Sequence, residues 1–167
     1  YGSCTPLSQI TSFGYFQDAL LRMIGLPPYI NSSEAFIRDF KKSNLNNIFN
    51  FLHQHELSLF INLLYPAQKD SFENILENKQ LMFSILEKVI KTFLTNSNIV
   101  MIIDNFDLLD GASYDFITYM AGKNFFNNRL KLLVAYQDTK PVQNYFDLTV
   151  KDDGIFSTIN LEKLTPQ

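Results

Sequence analysis

The chain has 167 residues, 46% of them apolar and 19% charged, with a formal net charge of −3. That size and balance fit a globular domain able to bury a core, and they exclude a disordered chain and a basic nucleic-acid surface. The single cysteine, Cys4, excludes an intrachain disulfide and a cysteine-cluster metal site. Sixteen Phe and eight Tyr with no Trp predict an aromatic-rich interior. No apolar run approaches the roughly 18 residues of a membrane helix, and no signal-peptide pattern opens the sequence, so the reading is cytoplasmic. The opening YGSC has the character of a strand exit and predicts a piece of a longer polypeptide.

In chain order, YFQDALLRMIG at residues 15–25 places Phe16, Leu20, Leu21 and Ile24 at helical spacing, and Gly25 with Pro27 and Pro28 predicts the stop. In NSSEAFIRDFKKS, Ser32 or Ser33 is an N-cap candidate, with Phe36 and Phe40 four apart on one face. The Leu- and Phe-rich stretch 44–66 predicts two short helices closed by Pro66. The strongest helical signal covers about residues 71–94. There Phe72, Ile75, Met82, Ile85, Leu86, Val89 and Phe93 share one apolar face, and Glu87 with Lys91 makes a surface pair.

After TNSN the period changes. IVMII, residues 99–103, is a continuous apolar run of strand length, as expected for a strand covered on both faces. A short helix over 113–121 follows LLDGA, RLKLLVAYQD predicts a second strand, and FSTINLEKL predicts a third, in which Ile159 and Leu161 alternate with polar neighbours. Strands alternating with helices predict an α/β fold with a parallel sheet, because parallel strands need crossover connections. Residues 1–95 read as mainly helical after a strand end, and residues 96–167 as the β-α-β part.

The apolar run leads straight into Asp104. In an open parallel sheet, ligands collect at the carboxyl ends of the strands. A carboxylate there can hold Mg²⁺, directly or through water, beside a nucleotide's phosphates. An Asp at a strand end also caps turns and helices, so the run by itself leaves both roles open.

The surrounding pattern adds to this. IVMIIDNFDLLDGASYDFITYM resembles the Walker B segment of STAND P-loop NTPases, in the AAA-like branch of predicted ATPases of large bacterial regulators; Asp104, Asp110, Ala112 and Ser113 stand at the matching places. TPLSQITSFGYFQDALLRMIGLP is similar to the segment after the second strand of those ATPases, where a Pro-Phe-Gly-like turn opens a helix ending in Gly-Leu. ENKQLMFSILEKVIKTFL resembles the helix before their Walker B strand, LKLLVAYQDTKP the next strand, and INLEKLTPQ the strand that closes the nucleotide-binding core. The resemblance implies a parallel sheet of P-loop NTPase type with an inserted or flanking helical region, incomplete at its N-terminus. It implies ATP and Mg²⁺ as cofactors of the intact parent domain, with Asp104 on the Mg²⁺ side. It also implies the parent's other domains and an effector protein as partners, with neither nucleic acid nor membrane.

Three departures bear on activity. The sequence contains no G-x-x-x-x-G-K-[ST] loop to cradle phosphates. AGKN at 121–124 has Ile117 where the first Gly belongs, and reads instead as a helix C-cap at Gly122 with a surface Lys123. Asn105 stands where the family's second acid polarises water, and an amide cannot accept that proton. Gln137 stands where relatives often carry a γ-phosphate-sensing Arg, and an uncharged side chain loses that stabilisation. Two other candidates read as structural. His53 and His55 lie two residues apart, not the four of a helical zinc pair, and Cys4 has no His–Asp company that would mark a nucleophile.

Two functions follow. One is part of an ATP-binding conformational switch, whose 167-residue piece binds nucleotide weakly or not at all and turns over little or none. The other is a degenerate NTPase-like scaffold for protein contacts. An apolar sheet edge left open would favour self-association.

Overall fold

The computed structural model describes residues 2–3, 12–26, 38, 50–65, 78–126 and 129–136. The chain divides into two compact units, Tyr1–Gln137 and Asp138–Gln167, and every described residue lies in the first. The third predicted strand, the helix predicted from Ser32 or Ser33 apart from Arg38, Cys4 and the 66–77 approach to the long helix lie outside the described residues.

Among the described residues three short parallel strands carry the fold: β1 (Gly2–Ser3), β2 (Ile99–Asp104) and β3 (Leu130–Val134), in the order β1-β2-β3. Helices α1 (Gly14–Met23), α2 (Gln54–Leu64) and α3 (Lys79–Asn96) fall between β1 and β2, and α4 (Gly111–Gly122) falls between β2 and β3. The architecture is therefore mixed helix and strand around a small parallel sheet, as the alternating pattern predicts.

Helix α1 begins one residue earlier than its apolar period and ends as composed. Gly25, at φ 71°, supplies the left-handed turn. Its N–H donates to the Arg22 carbonyl at 3.1 Å while the Leu26 N–H donates to the Leu21 carbonyl at 2.9 Å, the paired bonds of a Schellman stop. Tyr15, Phe16, Leu20 and Leu21 form its buried face.

Helix α2 opens with Glu56 reaching back to the His53 N–H at 3.0 Å, the N3 half of a capping box. The other oxygen of Glu56 accepts from Lys88 of α3 at 2.6 Å, so one buried carboxylate fastens two helices. Burial alone raises its pKa; the Lys88 ammonium and the His53 N–H outweigh that and hold it below the usual carboxylate value.

Helix α3 turns Met82, Phe83, Ile85, Leu86, Val89 and Ile90 inward, the 3- and 4-residue spacing read from the sequence. The core it faces is aromatic. Phe116 of α4 meets Phe16 edge-on at 4.9 Å and Phe83 at 5.3 Å, and Phe83 meets Phe13 edge-on at 6.0 Å. Lys79 pairs with Asp115 between α3 and α4.

The sheet departs from expectation in one respect. Strands β2 and β3 pair from Ile99↔Leu130 to Ile103↔Val134, and β1 pairs only with the last two residues of β2. Met101 and Ile103 are buried, yet Val100 is 56% and Leu133 57% exposed. The expectation that β2 is covered on both faces is corrected: one face is open. The strand order explains this, because both crossovers step the same way. Right-handed connections then put the described helices α1 to α4 on one side of the sheet.

Tyr15 ties α1 to this sheet. Its buried hydroxyl donates to the Ile102 carbonyl at 2.9 Å. Tyr15→Phe removes that donor, so urea unfolding should show a loss of about 0.5–1.5 kcal/mol, the net range for one intramolecular hydrogen bond. A loss under about 0.3 kcal/mol would mean the bond contributes little beyond ring packing.

Candidate functional site at the carboxyl edge of the sheet

Asp104 ends β2, the central strand, and pairs in register with Ser3 of β1. It is half-buried. One carboxylate oxygen, Oδ1, accepts from the N–H of Asn105 at 3.0 Å. The chain beyond stays tied to β3: the Ala135 N–H donates to the Ile103 carbonyl at 2.9 Å and the Phe106 N–H to the Ala135 carbonyl at 3.0 Å. A single turn of 3-10 helix, Phe106–Leu108, then buries Phe106 and carries the chain to α4.

Asn105 is exposed, with φ 54° and ψ 55°. Asn is among the few L-residues that adopt this left-handed conformation readily. The backbone here therefore supplies a reason for Asn at 105 that does not involve water activation.

Asp110, matched by resemblance to the acid after Walker B, is a cap. It is 3% exposed, and its Oδ1 accepts from the Ser113 N–H at 2.9 Å as the N-cap of α4. The same oxygen accepts from the Phe13 N–H at 2.8 Å, across 97 residues. Phe13 itself sits at φ 60°, a conformation costly for a bulky residue. The Asp110 bond and the edge-on contact with Phe83 hold it there. The cap was readable locally, since D-G-A-S carries an N-cap Asp ahead of a helix start; the bond to Phe13 was not.

The reading of AGKN is revised in detail. Gly122 is the last helical residue, Lys123 is the C-cap, and the left-handed residue is Asn124 at φ 53°. Lys123 is no idle surface lysine. It donates to Glu87 Oε2 at 2.9 Å and to the Tyr119 hydroxyl, and Tyr119 in turn donates to the same oxygen of Glu87. Lys91 holds Glu87 Oε1 at 2.7 Å. The Glu87–Lys91 surface pair of the sequence is thus one side of a four-residue cluster binding α3 to the end of α4. Burial pushes the Glu87 pKa up, but the three donors prevail and lower it to about 2.

His53 and His55 are exposed, His53 at the N-cap of α2 and His55 in its first turn. Glu56, beside them in sequence, is engaged by Lys88. Among the described residues no group of three or more His, Cys, Asp or Glu side chains could hold a metal ion. Asp104 by itself offers one carboxylate, and Mg²⁺ uses one or two carboxylates and keeps several waters. Gln137 lies outside the described residues. No helix among the described residues is long and apolar enough to cross a membrane.

No protein-family model, curated protein or solved structure matches the chain.

Proposed function

We propose that this chain is part of an ATP-binding switch domain of the STAND/AAA-like kind, cytoplasmic and embedded in a larger regulatory polypeptide, with Asp104 as the acid on the Mg²⁺ side. One observation carries the reading: Asp104 stands at the carboxyl end of the central strand of a parallel sheet. That is where open α/β sheets collect ligands. The sequence offers no Walker A loop, and the N-terminus of α4 is taken by Asp110. In this reading the phosphates are held by residues beyond this sequence, and ligand occupancy is relayed to an effector through flanking domains. With Asn105 after the strand, hydrolysis is weak or absent.

A second reading, an NTPase-shaped scaffold that binds no nucleotide, is favoured by specific contacts. Asp110 serves as a helix cap, Asn105 suits a left-handed backbone, and Asp104 accepts from the next residue's N–H. Each has a structural use that needs no ligand.

Calorimetry separates the two. In the natural polypeptide containing these residues, the switch reading expects Mg²⁺-dependent ATP binding that Asp104→Ala weakens about tenfold or more, with the melting temperature little changed. Absence of binding by the folded polypeptide would favour the scaffold. The 167-residue chain alone is expected to show no tight binding.

A further inference from the structure

Helix α1 has no side-chain cap of its own and no acid in its first turn, and the first turn of α4 likewise has none. At each N-terminus the first N–H groups lack intrahelical acceptors, and the positive end of a helix dipole lies there. The two ends meet at Asp110, whose Oδ1 takes the Phe13 N–H at 2.8 Å and the Ser113 N–H at 2.9 Å. Two further atoms at this spot are unused. Asp110 Oδ2 and Ser113 Oγ are buried with no hydrogen-bond partner, on residues that are 3% and 0% exposed. Buried polar atoms almost always find partners, so the junction has more capacity for polar contact than its own side chain exploits.

We propose that the N-termini of α1 and α4 together form a small-anion cradle, fitted to a carboxylate, which Asp110 fills as a tethered internal ligand. Tethering explains the pattern of contacts. The Asp110 backbone is fixed as the N-cap of α4, so one oxygen reaches both N–H groups and the other is left over. An untethered carboxylate of formate size can turn its second oxygen toward the Ser113 hydroxyl. The cradle is independent of the nucleotide reading, because it needs neither Asp104 nor Mg²⁺.

The test uses formate. Asp110→Gly removes the internal ligand while keeping a residue tolerated at an N-cap, and should lower the melting temperature by about 6–12 °C. Sodium formate at about 0.2 M should restore at least about a third of that loss, and sodium chloride at equal ionic strength clearly less. The unsubstituted chain, its cradle already filled, should gain no more from formate than from chloride. Formate no better than chloride on Asp110→Gly, or an equal gain by the unsubstituted chain, would overturn the proposal. If Asp110→Gly does not fold, Asp110→Asn decides. It keeps an acceptor oxygen but removes the charge, and should melt several degrees lower with no response to formate; melting like the unsubstituted chain would overturn the internal-anion role.

Discussion

Phe116→Ala is expected to lower the unfolding free energy by about 3–5 kcal/mol, the range for deleting a fully buried aromatic ring. The residue is fully buried. Its ring touches three others from two helices and its own: Phe16 of α1 at 4.9 Å, Phe83 of α3 at 5.3 Å and Tyr119 of α4 at 5.9 Å. Removing it opens a cavity among side chains fixed to three separate elements, which cannot all collapse into it. Against a typical stability of about 5–15 kcal/mol the loss is large, and much of the population would unfold in mild urea. Phe51→Ala is the matched control, since Phe51 is 62% exposed and should change stability by no more than about 0.5 kcal/mol. Urea denaturation of both variants checks the contrast. A loss at Phe116 below about 1.5 kcal/mol would mean the three helices repack as a mobile group.

Those residues show why part of the fold could be read in advance. The inward face of α3 repeats at three and four residues, and burial follows that period from Met82 to Ile90. Gly25 ended α1 because a left-handed stop is cheapest for glycine, a local rule. The open face of β2 was not legible, because IVMII is apolar at every position and carries no period of two. Which side is covered depends on strand order, a property of the whole chain. Contacts across long separations were hidden for the same reason. Asp110 announces a helix start to its neighbours, but nothing near it in sequence points to Phe13. Asp104 was legible as a strand-end carboxylate, while the conformation of Asn105 was not, since no side-chain pattern marks a single left-handed residue. The nucleotide reading rests on acids and an amide that also have structural uses.

Glu87 gives the second large effect, and it depends on pH. Its carboxylate is held by Lys91, Tyr119 and Lys123, with only 14% of the side chain exposed. Its pKa in the folded chain is about 2, below the 4.5 of an unperturbed glutamate, which stands for the unfolded chain. A depressed acid stabilises the fold fully above the unfolded value, and that contribution fades as pH falls through the folded value. The shift alone corresponds to about 3 kcal/mol, but Lys91 and Lys123 are half exposed and screened by solvent, so about 1–2 kcal/mol is the expected net effect. Glu87→Gln should therefore be less stable than the unsubstituted chain by that amount near pH 7. The gap should be nearly unchanged at about pH 4.5, fall below half by about pH 3, and close near the folded pKa. Urea unfolding of both proteins at those pH values tests the sequence of changes. A gap that stays constant from about pH 7 to pH 3 would assign the loss to packing at the α3–α4 contact and not to charge. The contribution sits where α4 ends, between the crossover helix and β3, so acid would loosen the element that brings the chain from the Asp104 edge back into the sheet.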